Sequence, residues 1–203
     1  MGLLLIVRYP DEGPGLLRWA QRASAAMEEP LEVVVCDPEA DRELAWAEEG
    51  APAPEFLSGI EARWGRVRLS SALGEVSRHV LENKTELVLV GKHNSGKADG
   101  KSSPERRFAR AAFEHLPCAV CVLRLPKEER ESPGRTLVPA AGGRNSRIAL
   151  KFANRIGGED TTAFFVEPNV DEVSEDVGQL RLSKTIRKAG LDPEEITRKV
   201  ALG

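Results

Sequence analysis

Between Met1 and Leu125 the apolar positions alternate between unbroken short runs and runs at helical spacing. Gly2–Tyr9, Leu31–Cys36, Arg66–Ser70, Glu86–Gly91 and Cys118–Leu125 are continuous segments of strand length. Between them, Leu16–Met27 carries Leu16, Leu17, Ala20, Ala23 and Met27 at helical spacing, and Ala72–Asn83 carries Leu73, Val76, Val80 and Leu81 on one side. Pro104–His115 predicts a further helix, opened by its proline. Glu39–Gly50 and Pro54–Trp64 read as one interrupted helix or two short ones, broken at Gly50-Ala-Pro-Ala-Pro54. In this reading Trp19, Trp46 and Trp64 fall on three helical segments and anchor helices to a sheet. Strands apolar on both faces, alternating with helices, imply a parallel sheet covered on each side.

The pattern then pauses and begins again. Residues 127–134 are charged and proline-bounded, which predicts a linker after a first domain spanning 1–126. Residues 135–203 restart the alternation. Arg135–Ala141 reads as a strand, Gly142-Gly143 as a turn and Arg144–Ile156 as a helix with Ile148, Ala149, Phe152 and Ala153 on one face. Thr161–Val166 follows as a strand, Asp171–Lys188 as a helix and Ile196–Leu202 as a last strand. This is one whole α/β domain followed by an incomplete second unit. A three-stranded half sheet has an open edge and little core. The expectation is a piece of a longer polypeptide, or a half domain that completes its core against the first domain or a second copy of the chain.

Composition narrows the function classes. The 203 residues are 41% hydrophobic and 30% charged, with a formal net charge of -3, which argues for a globular protein and against a general nucleic-acid binder. No apolar run approaches the ~20 residues of a membrane helix, and Arg8 and Asp11 interrupt the N-terminal one, so neither membrane insertion nor a signal peptide is expected. Cys36, Cys118 and Cys121 are an odd set inside apolar runs, which suits a reducing cytoplasm. Cys118 and Cys121 spell C-x-x-C, but along a strand their side chains diverge, and no second ligand pair accompanies them; buried apolar packing is the better reading. His79, His93 and His115 have no partner at metal-ligand spacing, and His79 and His115 read as surface or helix-end residues. No metal site and no nucleophile–base–orienter set emerges, so no catalytic residue is assigned.

The chemistry-bearing stretch is Gly91-Lys-His-Asn-Ser-Gly-Lys-Ala-Asp-Gly-Lys-Ser-Ser-Pro104, which follows a buried strand and precedes a helix. In an open parallel sheet, that position is where ligands bind. Gly91, Gly96 and Gly100 let the backbone curl so that N–H groups converge, flanked by Asn94 and Ser95. Lys92, Lys97 and Lys101 add positive charge, and Ser102 and Ser103 can cap the helix that Pro104 begins. An anion site for a phosphate-bearing ligand is the functional reading; a solvated loop kept soluble by its lysines is the alternative. Gly142-Gly-Arg-Asn-Ser146 is a weaker second candidate, better read as a turn with a helix cap.

Several strings, taken in order, resemble the universal stress protein family. Leu87-Val-Leu-Val-Gly91 is similar to its fourth strand and loop-opening glycine. His115-Leu-Pro-Cys-Ala-Val-Cys-Val-Leu123 resembles its fifth strand, and Leu137-Val-Pro-Ala-Ala-Gly-Gly-Arg-Asn-Ser-Arg-Ile-Ala-Leu150 its first strand, turn and helix. The resemblance covers nearly the whole chain as one full and one partial unit. It implies a doubly wound parallel five-stranded sheet of order 3-2-1-4-5, of the adenine nucleotide alpha hydrolase-like type. It also implies ATP or AMP as ligand, contact of adenine with the end of the second strand at Val34 and Val35, and homodimerisation through the fifth strand, at Val120 and Val122.

The chain departs from the nucleotide binders of that family. Their loop reads Gly-x2-Gly-x9-Gly-Ser/Thr; here Asn94 takes the second glycine's place, and the final pair falls near Arg106-Arg107 or at best is replaced by Ser102-Ser103. The acidic residue after the first strand is replaced by Tyr9-Pro10. The resulting expectation is a non-enzymatic cytoplasmic sensing module that binds an adenine nucleotide and belongs to a larger protein, such as an amino-acid or cation transporter. A nucleotide-free scaffold working through dimerisation is the alternative.

Overall fold

The computed structural model describes residues 2–9, 13–91, 104–123, 136–140, 142–157, 160–167 and 175–202. The chain divides into two units, Met1–Glu129 and Arg130–Gly203.

The first unit begins with β1 (Gly2–Val7), α1 (Gly13–Met27) and β2 (Leu31–Cys36). A two-residue strand β3 (Ala45–Trp46) and a 3₁₀ turn at Glu55–Leu57 then lead to β4 (Arg63–Val67). It ends with α2 (Ala72–Asn83), β5 (Thr85–Gly91), α3 (Pro104–His115) and β6 (Ala119–Leu123). The sheet runs β3-β4-β2-β1-β5-β6, parallel throughout except for β3, which lies antiparallel to β4. Without β3 this is the expected 3-2-1-4-5 order.

The central strands carry apolar side chains on both faces because both are covered. Leu4, Ile6, Val34, Val67, Val88 and Val90 pack with Ala72, Val76 and Val80 of α2 and with Ala112 of α3. The alternate positions Leu3, Leu5, Val7, Val33 and Leu89 are equally buried, and α1 buries Leu16, Leu17, Ala20 and Ala23. Each fully buried Leu or Val contributes roughly 1.5–3 kcal/mol relative to exposure, so this double-faced interior holds the unit together. Lys84 ends α2 in the left-handed region (φ 53°), its N–H donating to Val80 O, and turns the chain directly into β5.

Residues 39–64 depart from the helical expectation. They hold no α-helix, and Trp46 and Trp64 lie on strands β3 and β4. Local polar bonds and turn residues override the apolar spacing there. Asp37 Oδ1 accepts the Glu39 N–H at 2.9 Å, Glu75 Oε2 accepts the Leu44 N–H at 3.0 Å, and the Arg68 Nε–H donates to Ala40 O at 3.0 Å. Gly50 and Gly59 take positive φ (83° and 76°), which stops a helix on either side. Gly65 opens the space for Trp46: a Cβ there would lie 2.9 Å from Ala45 O and 3.0 Å from the indole.

Two positions on α2 also differ from expectation. Leu81, assigned to the apolar side, is 66% exposed, while His79, read as a surface residue, is only 5% exposed. The buried stripe is Ala72, Val76, His79 and Val80. At a spacing of 3.6 residues per turn, His79 lies on that stripe and Leu81 turns away from it.

The second unit is β7 (Thr136–Pro139), α4 (Arg144–Gly157), β8 (Thr161–Glu167), α5 (Glu175–Lys188) and β9 (Thr197–Leu202), a parallel sheet in the order β7-β8-β9. Both helices bury the same sheet face, where Leu150, Ala153, Leu182 and Ile186 pack on Val138, Ala140, Ala163 and Phe165. On the other face Leu137 is 58% and Val166 50% exposed.

Candidate functional site at the mouth of the first sheet

From β1 the first sheet is built outward in both directions, to β2 on one side and β5 on the other. The carboxyl ends of β1 and β5 therefore flank a topological switch point, the place where connections diverge and leave a crevice. Gly91 closes β5 at this mouth, and Val7, Arg8 and Tyr9 leave β1 beside it.

Arg8 is the residue that composition alone did not reveal. Its side chain is 4% exposed, and its Nη2–H donates to Gly91 O at 2.7 Å. The guanidinium carbon lies 5.4 Å from the ring centroids of both Tyr9 and Phe108, within cation–π range. The mouth therefore carries a buried guanidinium beside the carbonyl that closes β5. The signal available in sequence was a charged residue terminating an otherwise apolar strand.

Gly91 is required by packing as well. A Cβ at this position would meet Leu16 Cδ1 at 2.5 Å and Leu16 Cδ2 at 3.1 Å. The glycine lets α1 seat its fully buried leucine against the end of β5. Val35 lies at the end of β2, buried, in register with Val7 and Arg66. Val34 is fully buried within the sheet. Beyond them Asp37 is occupied: one carboxylate oxygen accepts the Glu39 N–H, and the other lies 3.7 Å from Arg66 Nη1.

Of the residues selected from sequence, the structure brings Gly91 and Val35 to the same end of the sheet, on the strands that flank β1. Lys92, Asn94, Ser95, Gly96, Lys97, Gly100, Ser102 and Ser103 lie outside the described residues. Val120 and Val122 lie on β6, the edge strand, in register with Val88 and Val90. All five residues of β6 are half-buried.

A second polar constellation sits at the opposite end of the sheet. The Asn83 Nδ2–H donates to His79 Nδ1 at 2.9 Å and to His79 O at 3.0 Å, which leaves the ring proton on Nε2 to donate to Glu32 Oε2 at 2.7 Å. Glu32 Oε1 also accepts from Arg63 Nη1 at 3.1 Å. The Trp46 ring packs 4.8 Å from His79 and 4.3 Å from the Arg63 guanidinium. This network ties α2, β2, β3 and β4 together. Its signal in sequence was Glu32, the one charge inside an apolar strand.

Reactive chemistry is not favoured at the cysteines. Burial pushes the Cys118 and Cys121 thiols up to about 11, so both stay protonated at neutral pH. Among the described residues no cluster of three or more His, Cys, Asp or Glu side chains is arranged to hold a metal ion, and no helix is long and apolar enough to cross a membrane.

Comparison with solved structures agrees with this architecture. A Pseudomonas aeruginosa UCBPP-PA14 protein, named provisionally as a universal stress protein, matches with a TM-score of 0.56 at 16% identity, over 98% of this chain and 74% of that one. A protein of unknown function from P. aeruginosa PAO1 matches with the same TM-score and identity, over 98% of this chain and 73% of that one. A scan against protein-family models gave no match, and a comparison with curated proteins gave none. The fold is of universal-stress-protein type.

Proposed function

We propose that this chain is a non-catalytic regulatory module that binds an adenine nucleotide at the mouth of its first sheet. The observation that carries the reading is Arg8, a buried cation bonded to the carbonyl of Gly91 at the switch point of a doubly wound sheet. A phosphate near such a cation gains charge-assisted attraction in surroundings of low dielectric. The lysines and glycines that follow Gly91 in sequence add further donors and charge. Ligand binding would act by shifting a population, stabilising whichever arrangement of the mouth holds the phosphate better. In this proposal the module serves a larger protein, with an amino-acid or cation transporter among the candidates.

Calorimetric titration of the folded chain with ATP and AMP tests the reading. Saturable heat is expected, and Arg8→Ala should weaken the affinity by about tenfold, or 1.4 kcal/mol. Absence of heat at ~1 mM nucleotide, where even a −4 kcal/mol interaction registers, would rule the site out.

A second reading rests on β6. An edge strand with all five residues half-buried presents unpaired backbone groups and apolar side chains together. In that reading the chain is a nucleotide-free scaffold that dimerises through β6. Val120→Asp with Val122→Asp should then give monomers in sedimentation velocity with helix content unchanged; persistent dimers would count against it.

A further inference from the structure

We infer that Asp37 accepts hydrogen bonds from the ribose hydroxyls of the nucleotide, so that the mouth selects ribonucleotides over their deoxy counterparts. The inference rests on the nucleotide reading and specifies the sugar of its ligand. It is carried by where Asp37 stands and by what already holds its carboxylate.

Asp37 directly follows β2, and its N–H still donates to Val67 O at 3.0 Å, so the end of the sheet fixes its backbone. Side chains alternate along a strand, which puts Asp37 on the face of Val35, two residues earlier. The ends of β2 and β5, with β1 between them, stand about 10 Å apart at two strand spacings. A nucleotide with its phosphate in the crevice between β1 and β5 therefore lays its sugar across β1 towards β2. In doubly wound sheets an acidic residue at the end of the second strand meets ribose hydroxyls for this reason.

The carboxylate is oriented before any ligand arrives. Asp37 Oδ1 accepts the Glu39 N–H at 2.9 Å, and Oδ2 lies 3.7 Å from Arg66 Nη1. Arg66 is steadied in turn by the Trp64 ring, whose centroid is 5.1 Å from the guanidinium carbon. A carboxylate offers about four acceptor sites, and these partners take one on each oxygen, so both oxygens can accept again. The side chain is 29% exposed, within reach of a ligand. Binding a hydroxyl to an acceptor already held in place avoids the cost of ordering it. Because Asp37 is not sealed from water, a water molecule can replace a missing hydroxyl. The preference is therefore moderate, well short of the roughly 10⁴-fold that a closed polar site achieves.

The experiment is calorimetric titration of the full chain with ATP and with 2′-deoxy-ATP in one buffer. ATP is expected to bind about tenfold tighter. Asp37→Ser keeps a hydroxyl to accept the Glu39 N–H and removes the second oxygen. It should bind the two nucleotides within about twofold of each other, by weakening ATP alone. Asp37→Asn, which preserves size and the same turn, should narrow the gap in the same direction, with circular dichroism verifying that each variant is folded. Equal binding of the two nucleotides by the wild-type chain would overturn this inference, and so would variants that weaken both alike or keep the full preference; each of these leaves the nucleotide reading intact. No heat with either nucleotide would overturn both.

Discussion

Replacing Gly91 by alanine separates two roles for that glycine, and the structure supplies the magnitude. An added Cβ would lie 2.5 Å from Leu16 Cδ1 and 3.3 Å from Leu16 Cγ, whereas carbon pairs settle at about 3.5–4.0 Å. Leu16 is fully buried, so its side chain has little room to retreat. Overpacking of this kind costs about 1–3 kcal/mol, offset by the ~0.4–1 kcal/mol that alanine gains over glycine through the unfolded chain. A net loss of about 1–2 kcal/mol is expected. If Gly91 serves only the residues that follow it in sequence, the substitution should instead be neutral or slightly stabilising. The decisive measurement is a double-mutant cycle with Leu16→Ala, which alone should cost about 2–5 kcal/mol. In the double variant the new methyl enters the vacated space, so the two changes should fall short of additivity by about 1 kcal/mol or more. Urea unfolding followed by tryptophan fluorescence is a clean assay, because Trp19, Trp46 and Trp64 all belong to the first unit. Additivity within ~0.5 kcal/mol would refute the packing argument.

Three other perturbations test the surrounding interactions. The Glu75 carboxylate is held below its usual range by the Leu44 N–H and by Arg78, so its contribution is present at neutral pH and is lost as pH falls through its lowered pKa. Glu75→Gln should therefore cost roughly 1 kcal/mol at pH 7 and converge with wild type as acid protonates Glu75; a deficit that does not shrink as the pH is lowered would refute this. His79→Leu removes one of two partners of the Glu32 carboxylate, leaving Arg63, and should destabilise the first unit by about 1–3 kcal/mol with a shift in Trp46 emission. A change below ~0.5 kcal/mol would mean the network is incidental. The thiols of Cys118 and Cys121, raised to about 11, should react with iodoacetamide at pH 8 about a hundredfold more slowly than a free cysteine, and at the free rate in urea. Fast labelling of the folded chain would contradict their burial.

The parts of the fold that were legible in sequence are those with one dominant force. Val33–Val35 and Leu87–Val90 sit between two helical layers, so every residue is apolar and the strand declares itself. The bounds of Ala72–Asn83 were legible to the residue, although its buried stripe takes in His79 and leaves out Leu81. Residues 39–64 were misread because side-chain-to-backbone bonds from Asp37, Arg68 and Glu75 decide that region, and such bonds connect positions that periodicity does not relate. His79 was misread for a related reason. A histidine is tolerated inside only with partners, and those partners, Glu32 and Trp46, come from strands distant in sequence. Of the mouth, the glycine was legible and the arginine was not. Arg8 acquires meaning only when β5 is laid beside β1.

The winding of the two units explains why the ligand proposal is confined to the first. From β1 the chain steps to β2 and then β4 in one direction, covered on one face by α1, which the turn at Glu55–Leu57 packs against. It then returns to the far side of β1 through α2, so β5 and α3 complete the sheet and cover its other face. That single reversal does two things. It buries Leu4, Ile6, Val34 and Val88, and it makes the strand ends diverge at Arg8 and Gly91. In the second unit β7, β8 and β9 succeed one another in one direction, and α4 and α5 share a face. A sheet wound one way has no switch point and, for the same reason, leaves Leu137 and Val166 facing outward. Core completion and crevice formation are therefore one topological event, and among the described residues only the first unit has undergone it.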